Sequence, residues 1–182
     1  MIGSHDSYTY LSPKKKFFKL FSFLWRTQNK SIYEQIQLGV EYFDVRVYLD
    51  KGIWRLCHGL VDFDSTFTSL EDILKEFKDY KVRLILEKGN EEEFIKEIDN
   101  IKYKYECLSF SCIKKGWKVL VNKDPKMIDY SYVPFLSNLS FWQNIKRMKW
   151  FSTIKRWAKK SNPIITKELI ESETVYFMDY VE

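Results

Sequence analysis

Stretches with a two-residue apolar repeat alternate along this chain with stretches that repeat every three or four residues, and this alternation narrows the folds open to it. From Tyr42 to Leu49, Phe43, Val45, Val47 and Leu49 fall on one face of an extended chain, and Asp44, Arg46 and Tyr48 fall on the other. Val82 to Glu87 (VRLILE) reads as a mostly buried strand. Ile53 to Cys57, Trp117 to Val121 and Thr174 to Asp179 read as further strands. Helical signals lie between them. Ser31 and Glu34 form an S-x-x-E capping box for a helix to Leu38, with Gly39 placed to stop it. Ser69 caps a helix to about Tyr80, with Leu70, Ile73, Leu74 and Phe77 at helical spacing. Asn90 and Glu93 open another that runs to about Ile101. The pattern predicts a single α/β domain over residues 1–182 with largely parallel strands. A closed (β/α) barrel takes about 250 residues, so a barrel of this length is expected to be reduced or incomplete. An open sheet is the competing architecture.

Composition matters chiefly through its charge distribution. The chain carries 30 Lys and Arg against 25 Asp and Glu, a net of +5. Residues 13–26 (PKKKFFKLFSFLWR) hold five basic and no acidic residues, and residues 141–160 (FWQNIKRMKWFSTIKRWAKK) hold seven and none. With these 12 removed, 18 basic residues face 25 acidic ones, a net of −7. A mildly acidic body with two basic, aromatic-rich patches suits anionic surfaces, either lipid headgroups or nucleic acid. Phe17, Phe18, Leu20, Phe21, Phe23, Leu24 and Trp25 beside Lys14, Lys15, Lys16 and Lys19 have the composition of an interfacial segment. Helix-core packing is the other reading of the same residues, as it is for Trp142, Trp150, Phe151 and Trp157. No apolar run approaches the ~20 residues of a membrane span. The opening Met1 to Asp6 has no apolar core segment, so no secretory signal is expected, and a cytoplasmic or membrane-peripheral location is. Cys57, Cys107 and Cys112 are odd in number and lack paired spacing, so neither a disulfide framework nor a zinc site is expected.

The chain has two histidines, and both stand beside glycine in turn contexts: Gly3-Ser4-His5-Asp6-Ser7 and Leu56-Cys57-His58-Gly59. Loops after parallel strands are where such folds place reacting groups. Arg46 and Asp44 share the polar face of a strand whose other face is apolar. In a half-exposed sheet that is ordinary alternation, whereas inside a barrel those charges need partners or a ligand. Asp179 ends an apolar strand, a place suited to a carboxylate that orients a histidine.

Four blocks carry a resemblance. IGSHDSYTY (2–10), YEQIQLGVEYFDVRVY (33–48), LCHGL (56–60) and VYFMDYVE (175–182) resemble, in order and spacing, the catalytic X-domain of the phosphatidylinositol-specific phospholipase C family. The resemblance implies a distorted (β/α) TIM-type barrel. Met1 lies three residues before Ser4, so either the first strand of that barrel is expected to be shortened or the chain is expected to be a truncated form. The animal-type branch binds calcium through an E-x-D pair on the second strand. This chain has Asp44-x-Arg46 there, which resembles the metal-independent bacterial branch, with Arg46 as the fixed cation in place of calcium.

The resemblance further implies intramolecular attack of the inositol 2-hydroxyl on the phosphodiester, giving diacylglycerol and cyclic inositol 1,2-phosphate, with no metal and no other cofactor. By similarity His5 is the base and His58 the acid. Asp179 holds His5, Arg46 binds a phosphate oxygen, and Asp6 orients Arg46 or the leaving-group side. Gly59, Lys88 and Lys123 stand where that branch contacts substrate, and Trp142 and Tyr130 are possible stand-ins for its inositol-binding aromatic. A phosphatidylinositol-type lipid, free or glycosylated, and peripheral contact with an anionic membrane are the expected partners, and nucleic acid is not. Two other readings stay open: a non-catalytic module for anionic membranes or nucleic acid, and a phosphodiesterase acting on RNA.

Overall fold

The computed structural model describes residues 1–105, 108–112, 118–121, 127–130, 158–159, 162 and 175–181. Nine strands are found among them: β1 (Ile2–Ser4), β2 (Tyr42–Asp50), β3 (Ile53–His58), β4 (Val61–Asp62), β5 (Lys81–Lys88), β6 (Leu108–Cys112), β7 (Lys118–Val121), β8 (Met127–Tyr130) and β9 (Val175–Met178). They pair in the order β7-β6-β5-β2-β1-β9-β8, with the antiparallel β3–β4 hairpin attached to β2. Strands β6, β5, β2, β1, β9 and β8 run parallel to their neighbours along that path, and β7 turns back on β6. Among the described residues the path has two ends, β7 and β8. The expectation of a mixed α/β chain with mostly parallel strands is met.

The two-residue repeat divides the sheet into two unlike faces. Phe43, Val45 and Val47 of β2 and Val82, Leu84 and Leu86 of β5 enter the large core, where they meet Leu70, Ile73, Phe77, Phe94 and Ile98. The last five come from α3 (Leu70–Leu74), the 3-10 turn after it, and α4 (Glu91–Ile101). Each such side chain, fully buried, contributes about 1.5–3 kcal/mol. The opposite face carries Tyr42, Asp44 and Arg46 on β2. At one end of it a small apolar plug of Tyr42, Val175 and Phe177 fills the space. The helices covering the core begin where the sequence placed them. Ser31 and Glu34 exchange both capping-box hydrogen bonds at the start of α2 (Ile32–Gln37), and Gly39 leaves it at φ 83°. Ser69 and Asp72 do the same for α3, and Asn90 caps α4.

The basic, aromatic stretch after β1 forms α1 (Phe17–Leu20) and a 3-10 turn over Ser22–Leu24. It divides between the two readings left open above. Trp25 is buried and Phe18 packs on the core, whereas Phe17 is 64% and Leu20 76% exposed, with Phe21 and Phe23 also exposed. Pro13 bridges Phe63, and the Trp25 ring packs on Phe63, so this stretch lies against the β3–β4 hairpin. The hairpin's Leu60 is exposed as well. In the second basic stretch, Trp142, Trp150, Phe151 and Trp157 lie outside the described residues.

Strands β1 and β9 meet closely where Gly3 pairs with Phe177. A Cβ on Gly3 would stand 2.8 Å from the Phe177 ring. The Arg83 guanidinium also lies over that ring, 3.9 Å from its centroid. Gly3→Ala therefore overpacks the pair and is expected to destabilise the fold by about 1–3 kcal/mol. Urea unfolding of Gly3→Ala, and of Gly3→Ala with Phe177→Leu, checks this, because the smaller ring should recover part of the loss.

Candidate active site

Strand register brings the polar groups together. Ser4 pairs with Met178 on β9 and with Phe43 on β2. The next residues along these strands are therefore level with one another: Asp179, His5 and Asp44, with Arg83 paired to Asp44 on β5. Strand β5 lies along one edge of β2 from Tyr42 to Tyr48, which leaves β1 and β3 to share the other edge. They approach from opposite directions, so His5 and Asp6 follow the end of β1 while His58 closes β3. The two imidazoles meet across the gap with ring centroids 6.5 Å apart and planes at 84°.

The turn after β1 is held tightly. Asp6 takes a left-handed backbone at φ 46°, which Asp tolerates better than most residues. The Ser7 N–H donates to the Asp44 carbonyl at 2.8 Å, and the Ser7 hydroxyl accepts from the Asp44 N–H at 3.0 Å. Thr27 Oγ1 and Gln28 Nε2 both donate to the His5 carbonyl, and Gln28 Nε2 also donates to the Met178 carbonyl. One amide side chain thus ties the ends of β1 and β9 together behind the His5–Asp179 pair.

The partners of the four ring nitrogens differ, and they distinguish the two histidines. His5 Nδ1 is 2.8 Å from Asp179 Oδ1, an acceptor, while His5 Nε2 is 2.8 Å from Arg46 Nη2, which can only donate. That environment fits a neutral ring with its proton on Nδ1 and a lone pair on Nε2. His58 Nδ1 is 2.7 Å from the Trp25 carbonyl, and its Nε2 is 3.0 Å from Asp6 Oδ2. Both partners accept, a setting that favours a proton on each nitrogen and so the cationic ring. Burial lowers the pKa of each ring, but carboxylates outweigh it. Asp6 and Asp179 raise His5 to about 9, and Asp6 raises His58. The 2.8 Å contact with Arg46 suits the neutral His5 ring and the carboxylates suit the cation. The carboxylates prevail, so the ring holds its proton more firmly than a free imidazole.

Arg46 is the central cation. Its Nε contacts Asp6, its Nη2 is 3.1 Å from Asp44 Oδ2, and its Nη1 is 3.0 Å from Glu87 Oε1. Against the burial that opposes their charge, Arg46 holds the Asp6 and Asp44 carboxyls below the usual range. His5, Asp6 and Asp44 each offer a ligand atom within 4.8 Å of the others, a spacing that could hold a metal ion. The guanidinium already stands against two of those carboxylates, so the arrangement has its own positive charge.

Solved structures share this architecture. The phosphatidylinositol-specific phospholipase C of Listeria monocytogenes superposes over 100% of this chain and 88% of its own, with TM-score 0.62 and 16% identity. Two structures of the Staphylococcus aureus enzyme do so over 99% of this chain and 85% of theirs, with TM-score 0.57 and 14% and 13% identity. The fold is that of the bacterial phosphatidylinositol-specific phospholipases C. No family model matches the sequence, and no curated protein does.

Within this phospholipase C fold, five of the residues marked in the sequence converge: His5, Asp6, Arg46, His58 and Asp179. Gly59 adjoins them, its N–H donating to Glu87 Oε2. Lys88 instead pairs with Asp62 at 2.6 Å and lies over the Tyr48 ring. Lys123 and Trp142 lie outside the described residues, as does the side chain of Tyr130. Arg83 and Glu87 were not marked, yet Arg83 Nη2 is 2.9 Å from Asp44 Oδ2. The signal for Arg83 was present, since it interrupts the apolar run of VRLILE. The Trp25 carbonyl and the Gln28 amide carried no such signal.

Because the folded His5 pKa lies above the unfolded value near 6.5, its interaction with Asp6 and Asp179 stabilises the fold in full below pH 6.5 and is lost as the pH rises towards 9. The melting temperature is expected to fall over that interval, and to fall less in His5→Gln. Calorimetry across pH 6–9.5 measures both slopes.

Proposed function

We propose that this chain cleaves the phosphodiester of phosphatidylinositol, or of a glycosylated form, by attack of the inositol 2-hydroxyl. The observation that carries the reading is the unlike setting of two facing imidazoles, one with its Nε2 against a donor and the other with both nitrogens against acceptors, and a guanidinium beside them. His5 Nε2 takes the proton of the 2-hydroxyl as its oxygen bonds to phosphorus. The bond from phosphorus to the glycerol oxygen breaks, and that oxygen takes the His58 Nε2 proton. The products are cyclic inositol 1,2-phosphate and diacylglycerol. Arg46 turns from Asp6 and Asp44 to a non-bridging phosphate oxygen, where positive charge is needed as negative charge develops. Asp179 holds the His5 tautomer and steadies the imidazolium formed. Asp6, between the rings, holds His58 by its Nε2. Lys88 would leave Asp62 to meet the headgroup, with Gly59 bordering the same space. We read the sheet as a distorted, reduced barrel with this site at the strand ends.

Several observations support a lipid substrate over a soluble one. Phe17, Leu20, Phe21 and Phe23 are exposed beside exposed Lys14, Lys15, Lys16 and Lys19. The same stretch continues into Trp25, whose carbonyl touches His58. Apolar groups ringed by lysines suit an anionic bilayer, to which each lysine adds about 1 kcal/mol near the surface.

Turnover is tested with phosphatidylinositol vesicles in excess chelator, followed by phosphorus NMR. Cyclic inositol phosphate is expected, and a 2′,3′-cyclic nucleotide from RNA, or no product from either, would overturn the reading. His5→Ala and His58→Ala should abolish turnover with the fold retained, and Asp179→Asn should lower kcat by on the order of 10²–10⁴-fold. It should also move the ascending limb of the kcat/KM profile to lower pH, because removing a carboxylate lowers the His5 pKa. Lys15→Ala and Lys16→Ala should each weaken co-sedimentation with anionic vesicles by about fivefold, and binding indifferent to anionic lipid would oppose membrane contact.

A further inference from the structure

Glu87 lies in β5 where the pairing with β2 steps from Val47–Leu86 to Tyr48–Lys88 and passes over it. Such irregularities re-aim a side chain. Its side chain is 5% exposed. One carboxylate oxygen is 3.0 Å from Arg46 Nη1. The other accepts from the Gly59 N–H and is 3.6 Å from Cys57 Sγ, so it grips the residues on both sides of His58. We infer that Glu87 is a positioning residue that locks the phosphate-facing guanidinium of Arg46 and the backbone of the His58 turn into one unit. This rests on the reading of the site as a phosphodiester-cleaving centre and adds a residue to it.

The argument is one of geometry and charge. β2 carries Arg46, and the β3–β4 hairpin carries His58. Strand β3 pairs with β2 only over Val47–Asp50, below the level of Arg46. Asp6 joins the two side chains from the turn after β1, and Glu87, from β5, ties Arg46 to the backbone on either side of His58. When Arg46 moves towards a phosphate, its Nη1 contact with Glu87 limits the movement and keeps the displacement coupled to the acid. Glu87 also adds a negative charge to the surroundings of His58. The groups facing that ring are Asp6 from the turn after β1, Arg46 from β2, Glu87 from β5, His5 across the gap, and the uncharged Trp25 carbonyl.

The test uses Glu87→Gln and Glu87→Asp in the full chain. Nitrogen NMR follows the two imidazoles of the substrate-free protein, and kinetics follow phosphatidylinositol vesicles. Glu87→Gln is expected to lower the titration midpoint of His58 by more than that of His5. It should lower kcat by on the order of 10²-fold with KM little changed. Glu87→Asp keeps the charge and should recover the His58 midpoint and part of kcat. A His58 midpoint unaltered in folded Glu87→Gln overturns the inference, as does an equal shift of both rings, the mark of general loosening. Should the unsubstituted protein release no product, the proposed reaction falls, and the titration alone decides the role of Glu87.

Discussion

A guanidinium in a nearly dry place holds the ends of several strands together. Arg46 has Asp6, Asp44 and Glu87 about it and an imidazole nitrogen against its remaining edge. Removing such a charge from water costs several kcal/mol, and the geometry must return it through more than one partner. The planar fork of arginine can do so, since it directs five N–H groups in fixed directions. A lysine would place one compact charge where three carboxylates from different strands converge. The carboxylates in turn remain ionised in a buried site because Arg46 and Arg83 are there. The charges are mutually required, so the cluster is a structural element before it is a chemical one.

The rest of the sheet makes room for it. The apolar repeat of β2 and β5 commits one face to the helices. The other face then collects every polar residue that the same repeat leaves over. Tyr42 and Phe177 fill that face at one end, and the charges occupy the strand ends. Parallel strands in register align the residues that follow them, which is why Asp179, His5 and Asp44 stand abreast although they are far apart in sequence. The antiparallel β3 brings in His58 from the far side of the gap.

Much of this could be read from the chain, and the unread parts share a cause. Period two over 42–49 separated Asp44 and Arg46 from the core side, and polar glycine-flanked turns marked His5 and His58. Helix starts at Ser31, Ser69 and Asn90 followed from local capping chemistry, which needs no tertiary knowledge. β6 (Leu108–Cys112) and β8 (Met127–Tyr130) escaped notice because four or five residues hold too few repeats to declare a period. Glu87 escaped because the irregularity that aims it is a property of strand pairing. The Trp25 carbonyl escaped because every residue has one. In residues 13–26 composition could not divide the aromatics between core and surface, since that division depends on the hairpin beside them.

The contact between the Trp25 carbonyl and His58 gives the stretch before it an unusual tolerance. The acceptor is main chain, so exchange of the exposed side chains from Phe17 to Phe23 leaves it in place. Inserting or deleting a residue there would shift the carbonyl along the chain and remove the acceptor from the imidazole. The contact with His58 thus constrains the length of this segment and leaves the identity of its exposed side chains to whatever they meet.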